Sequence, residues 1–149
     1  FMEPSLNYRL TNFQAALGRA QLPSLDGWIT DRRELAALYM ENLTALAGEG
    51  LLSLPNADPG HSWQTFMVVL NGRFDRTEVI AKLKAAGIES NLGAQSMQEI
   101  GLYGPASDMC KVGPQLYAQG LALPLYERMT PDQIRQVAES LRAVLSDAD

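Results

Sequence analysis

Leu6 to Leu22, LNYRLTNFQAALGRAQL, is the stretch against which the rest of the chain is read. It opens with a polar cluster, Asn7, Tyr8 and Arg9, followed by Leu10 and a helix-start signal at Thr11. A threonine at the N-cap accepts from the N–H three residues on, and Gln14 stands at that position to reach back, which makes a capping box. In the helix that follows, Phe13, Ala16, Leu17 and Ala20 fall on one side, spaced three and four apart. An amide, a phenol and a guanidinium are therefore presented just before the positive end of a helix. That end suits phosphate or carboxylate, because its N–H groups and its dipole point outward. The same pattern also describes a capped surface helix with a polar lead-in, and the residues alone leave both readings open.

Working outward, Leu22-Pro23-Ser24 reads as a joint, since proline starts a helix better than it continues one. A long amphipathic helix is predicted over 24–47. Leu25, Trp28, Ile29, Arg32, Leu35, Ala36, Tyr39, Leu43 and Leu46 repeat with a period close to 3.6. Asp31, Arg32, Arg33 and Glu34 read as its solvated side, and Gly48 and Gly50 end it. A helix of about 24 residues spans about 36 Å at 1.5 Å per residue. That length suits an element that joins two domains or lines a subunit interface.

Beyond it, residues 51–60 read as a loop. Trp63 to Leu70 reads as a strand with Phe66, Val68 and Leu70 on one face. Asn71-Gly72 makes a turn, and Asp75 caps a helix through about Ala86, with Val79, Ile80 and Leu83 inward. Ile88-Glu89-Ser90 reads as a short strand, and Asn91 to Gly113 as a long loop of the kind that is more often functional than structural. A helix over 114–119, a strand at Leu121–Leu123 and a Thr130-capped helix to Leu145 complete the chain. Strands separated by helices predict an α/β fold, an α+β sandwich with a small sheet covered by helices.

With 149 residues, 46% hydrophobic and 19% charged, the chain has the profile of one globular domain that needs no metal or disulfide to hold it. A net charge of −5 and the lack of any Lys/Arg run argue against nucleic acid as a partner. No stretch approaches the ~18 apolar residues of a membrane span. The single cysteine, Cys110, excludes an internal disulfide and fits a reducing compartment, so the expected location is the cytoplasm. His61 is the only histidine and no Cys/His spacing suggests zinc, so no metal site is expected. The abrupt start at Phe1-Met2-Glu3-Pro4 reads as a piece of a longer protein.

Asn7-Tyr8-Arg9-Leu10-Thr11-Asn12 with Gln14-Ala15-Ala16-Leu17-Gly18 resembles the segment that opens the C-terminal part of the DegT/DnrJ/EryC1/StrS family of sugar aminotransferases. The resemblance continues in order at His61-Ser62-Trp63, at Gly87-Ile88-Glu89 and at Leu121-Ala122-Leu123-Pro124-Leu125-Tyr126 before Thr130, across nearly all of the chain. It implies the small C-terminal domain of a fold-type I enzyme dependent on pyridoxal phosphate (PLP). Residues 1–149 would form that domain, with 11–47 as the connecting helices and the PLP-binding large domain upstream. By the same resemblance the complete protein would be a homodimer that moves an amino group, with glutamate as donor, to a nucleotide-linked keto-sugar. Some relatives of this fold dehydrate the sugar instead.

The resemblance also implies site roles. The family's counterpart of Asn7 reaches across a dimer to the PLP phosphate of the other subunit, and an amide N–H is a suitable donor for it. Arg9 offers a planar fork for the sugar nucleotide's diphosphate or the donor's carboxylate, or else an interface ion pair. His61 leads into the strand of the small domain and reads either as structural or as a substrate contact. Asn91 to Gln95, NLGAQ, matches a loop that faces the sugar, which makes Asn91 and Gln95 candidate substrate residues. Many members carry a His-Tyr-Pro type segment there and this chain does not, so the identity of the sugar does not transfer. The only lysines are Lys82, Lys84 and Lys111, and none matches the lysine that anchors the cofactor, so this stretch alone is expected to be inactive. A rival reading from another class is a non-catalytic ligand-binding α/β module.

Overall fold

The computed structural model describes residues 9–96, 99 and 111–147. Helix α1 (Asn12–Gln21) leads through a 3-10 turn at Leu22–Ser24 into the long helix α2 (Leu25–Gly48). Strands β1 (Leu52–Ser53) and β2 (Phe66–Leu70) follow, then α3 (Arg76–Ala85), β3 (Asn91–Leu92), α4 (Val112–Gln119), β4 (Gly120–Leu123) and α5 (Pro131–Ser146). The four strands form one antiparallel sheet in the order β1-β2-β4-β3. The long central strands pair Phe66 with Leu123 and Val69 with Gly120, while each edge strand has only two residues.

Local signals set most of these boundaries. Thr11 and Gln14 form the capping box of α1, and Thr130 and Gln133 repeat it at α5, where Pro131 takes the first turn. Asp75 caps α3 by accepting from the N–H groups of Thr77 and Glu78. Helices α2 and α3 end alike. The N–H of Leu51 reaches back to the carbonyl of Leu46, and that of Ile88 to Leu83, across Gly50 and Gly87 at φ +72° and +80°. Both are Schellman ends with the left-handed residue supplied by glycine, and both tuck the following apolar residue under the helix it leaves.

The core lies between one face of the sheet and helices α2 and α5. Phe66, Val68 and Leu70 point into it and meet Tyr39, Leu43 and Leu46 of α2 and Ile134, Leu141 and Leu145 of α5. The ring of Tyr39 stacks on Phe66 with centroids 4.7 Å apart. The alternate residues Met67 and Val69 are half-buried on the other face. There Gly93 and Gly120 approach so closely that a Cβ on Gly93 would lie 2.8 Å from the Gly120 carbonyl carbon, which ties the β3 end to β4.

Four expectations need correction. Strand β2 begins at Phe66 and not at Trp63, because Trp63 sits at φ +52°, outside the extended region. The short strand expected at 88–90 lies instead at Asn91–Leu92, since Ile88 is spent on closing α3. The expected loop at 51–60 contains an edge strand, with Leu52 opposite Leu70. Arg32, read as solvated, turns inward from α2 toward the sheet end. Cys110 and most of the long segment before α4 lie outside the described residues. Among the described residues no helix is long and apolar enough to cross a membrane.

Candidate functional site

The antiparallel pairing of Phe66 with Leu123 brings the start of β2 and the end of β4 to one end of the sheet. The His61–Thr65 segment enters there and the Pro124–Met129 turn leaves there. Helix α2 crosses this end and delivers Arg32 between them. Its Nη1 donates to the carbonyls of Trp63 (3.1 Å), Gln64 (3.2 Å) and Leu125 (3.3 Å), and its Nη2 to Glu127 Oε1 (3.1 Å). Nη1 has two hydrogens for three acceptors, so at least one bond is shared. The Arg32 hydrogen bond, followed by the turn's own backbone, holds the Glu127 carboxyl below the usual carboxylate range. One residue further on, the Nε of Arg33 donates to the carbonyl of His61 at 3.2 Å.

Two backbone positions here are left-handed without being glycine, Trp63 at φ +52° and Arg128 at φ +69°. A buried tryptophan in that region costs energy and persists only when its surroundings over-determine it. At Trp63 they do. Its N–H donates to His61 Nδ1 at 2.9 Å, its carbonyl accepts from Arg32, and its ring lies 4.2 Å from the His61 ring and 5.7 Å from Phe66. With Nδ1 accepting, a neutral His61 carries its proton on Nε2, the atom left to meet a ligand. The hydroxyl of Tyr39 donates to the Pro124 carbonyl at 2.8 Å, which anchors the opposite turn, and burial, with Tyr126 beside it, pushes that hydroxyl's pKa up.

The other predicted residues divide. Asn91 opens β3 opposite Ala122, one register step from Leu123. It is exposed, and its Oδ1 accepts from Leu92 N at 2.7 Å. Gln95 is exposed too, but the chain reaches it by running past Gly93, whose N–H bonds Gly120, and so toward the other end of the sheet. Arg9 is exposed just before the Thr11 cap. Asn7 and Tyr8 lie outside the described residues. Among the lysines, Lys82 pairs with Glu78 at 3.0 Å on α3, Lys84 is exposed on the same helix, and Lys111 is exposed at the N-cap of α4.

No residue of α1 is buried. Phe13 is 79% exposed and Leu22 64%, with Leu10, Leu17 and Leu25 also open. A notch of about 190 Å³ sits at the joint of α1 and α2, walled by Leu22, Leu25 and Trp28. A larger cleft of about 400 Å³ lies between the end of α3 and the start of α5, with Glu89, Tyr126 and Gln136 among its walls. None of the four described candidates, Arg9, His61, Asn91 and Gln95, is among the walls of either.

Sequence reasoning gave Arg32 no role at the site, although a signal was present. Arg32 sits three residues before Leu35 and seven before Tyr39, in phase with the buried face of α2. A cation on an apolar stripe of that kind needs acceptors, and here they are loop carbonyls. Arg76 was missed as well. It closes the end of α4 by donating to the carbonyls of Tyr117 and Gly120. Nothing in its local sequence marks this, because its partners lie 41 and 44 residues away.

Residues 2–142 match the model of the DegT/DnrJ/EryC1/StrS aminotransferase family. Over 141 residues the chain is 26% identical to the GDP-perosamine synthase of Escherichia coli O157:H7, covering 95% of this chain and 38% of that protein. It is 32% identical over 143 residues to the UDP-N-acetyl-3-dehydro-alpha-D-glucosamine 3-aminotransferase of Acidithiobacillus ferrooxidans, covering 93% of this chain and 37% of that one. The solved structure of DesV from S. venezuelae superposes with a TM-score of 0.77 at 26% identity, covering 97% of this chain and 39% of that chain. The chain thus spans under two fifths of the length of the curated relatives it matches.

Proposed function

The chain belongs to the DegT/DnrJ/EryC1/StrS aminotransferase family, and from that membership we propose that it is the C-terminal small domain of a PLP-dependent enzyme that aminates a nucleotide-linked keto-sugar. Residues 1–149 form that domain, with 11–47 as its connecting helices, and glutamate is the amino donor. The observation that carries this reading is α1. It is capped by its own side chains and preceded in sequence by an amide and a guanidinium, and its apolar residues are left uncovered by the other described residues. A self-sufficient binding module has no use for such an element. A domain that docks on a larger partner domain and on a second subunit does, so the complete protein is read as a homodimer.

The residues fit part of a PLP site. The start of α1 is an N-terminus suited to a phosphate dianion, and Arg9 stands directly before it. By the family resemblance none of Lys82, Lys84 and Lys111 matches the lysine that anchors the cofactor, and we read that lysine as lying upstream. When bound, PLP supplies the electron sink that lets an amino group pass between carbon skeletons. The chain's own part is to bind and orient. The Asn7 amide donates to the cofactor phosphate of the neighbouring subunit, and the Arg9 fork takes the substrate diphosphate or the donor carboxylate. His61 Nε2–H and the Asn91 side chain would meet the sugar. Gln95 stands apart from these two and is the weakest member of the set.

The test is Asn7→Ala in the full-length protein, read as the dissociation constant for PLP. Removing a hydrogen bond to a charged group is worth about 1.5–3 kcal/mol, which predicts roughly 10- to 100-fold weaker cofactor binding. Unchanged cofactor affinity would leave only an assembly role for the α1 arm.

A further inference from the structure

We infer that Arg32 is a positioning residue for the sugar side of the site: one guanidinium sets the His61–Gln64 segment against the Leu125–Glu127 turn, and so fixes where His61 meets substrate. The inference rests on the functional reading above.

Regular structure does not hold these two segments together. Strand pairing stops at Phe66 and Leu123, and Trp63, at φ +52°, is turned out of the ladder. What crosses the gap is Arg32, whose acceptors lie 31, 32, 93 and 95 residues away in sequence. Three of the four are backbone carbonyls, so the contact depends on the path of the chain and not on which side chains line it. Only a planar fork with several donors reaches both segments at once, and an ammonium on a flexible stem does not reproduce it. The Arg32 side chain is only 20% exposed while that of Glu127 is 45% exposed. The shielded carbonyl bonds therefore matter more than the solvent-screened ion pair.

The consequence for His61 is direct. Its Nδ1 is committed to Trp63 N–H and its carbonyl to Arg33, so the ring moves with the Trp63 backbone. If Arg32 releases the Trp63 carbonyl, Nε2 loses its fixed direction while the folded core under it stays intact. Misplacement of a binding group by about 1 Å is enough to cost up to 100-fold in rate, so a tenfold effect on the sugar step is a moderate expectation.

The experiment compares Arg32→Lys, Arg32→Gln and Glu127→Gln in the full-length holoenzyme. Hydrogen exchange of peptides covering 61–65 and 124–128 should accelerate together in both Arg32 variants, while a peptide from 134–145 in α5 keeps its protection. Glu127→Gln should leave 61–65 protected. In single-turnover kinetics, the rate of the half-reaction with the nucleotide-linked keto-sugar should fall roughly tenfold in Arg32→Gln and less in Arg32→Lys. The cofactor's spectral change on adding glutamate should keep its rate. Unchanged exchange at 61–65, or equal losses in the sugar and donor steps, would overturn the inference. A wild-type enzyme that aminates no nucleotide-linked keto-sugar would overturn the functional reading itself, and the exchange result would still decide whether Arg32 sets the two segments.

Discussion

Helices α1 and α5 carry the same start signal, a threonine capped by a glutamine three residues on, and both show an apolar stripe. In α5 that stripe is the core: Ile134, Val137, Ala138, Leu141, Val144 and Leu145 are all buried. In α1 none of it is buried, and the first five residues of α2 stay largely open with it. The difference teaches that periodicity tells which side of a helix is apolar and not what covers it. It also divides the molecule into a sandwich that buries its own apolar residues and an arm whose apolar side is exposed among the described residues.

The comparison can be broken most forcefully inside the sandwich. Phe66→Ala removes the ring on which Tyr39 stacks at a fully buried position and is expected to cost about 3–5 kcal/mol in urea unfolding. A loss below about 1 kcal/mol would mean that the core is not packed as described. Tyr39→Phe tests the next layer, because it strips the Pro124 carbonyl of its donor and is expected to cost about 1–2 kcal/mol. It also carries a pH signature. Burial raises the pKa of the folded-state hydroxyl, so the folded state holds a proton that the unfolded chain gives up above about pH 10. Stability from this group is complete below that pH and declines as the pH climbs past it, and the variant should flatten that alkaline decline.

A comparable effect is expected at the helix end. Gly87→Ala forces a Cβ into a left-handed position and should lower stability by about 1–2 kcal/mol without altering the core. The smallest effect belongs to the arm. Phe13→Ser with Leu17→Ser should change the stability of this chain by less than about 0.5 kcal/mol, since neither side chain is buried in it. If the full-length protein is the homodimer proposed above, the same pair should lower its dimer affinity in sedimentation. A large loss of chain stability would show that the arm packs on the sandwich after all.

Most of the fold was legible because its boundaries are written locally. Thr11, Asp75 and Thr130 are caps, Gly50 and Gly87 are stops, and the period of α2 identifies Tyr39, Leu43 and Leu46 as core. What escaped depends on partners distant in sequence. The two-residue strand at Leu52–Ser53 exists only because Leu70 is opposite, and the left-handed Trp63 only because His61 and Arg32 hold it. Of the candidate site, only Asn91 falls within the sheet, opposite Ala122, while His61 lies in the segment before β2 and Gln95 beyond β3. The inward turn of Arg32 was present in the helical phase but hidden by its charge, because a cation within the run Asp31–Glu34 reads as solvated.

The brevity of the edge strands has a consequence for how this chain sticks to others. Each edge strand is only two residues long, a poor template for a further strand, so among the described residues the sheet is protected against fibril-like growth from either side. Misassembly of this domain, where it occurs, should proceed through the bare apolar helix and yield amorphous, detergent-reversible clusters that do not bind cross-β dyes.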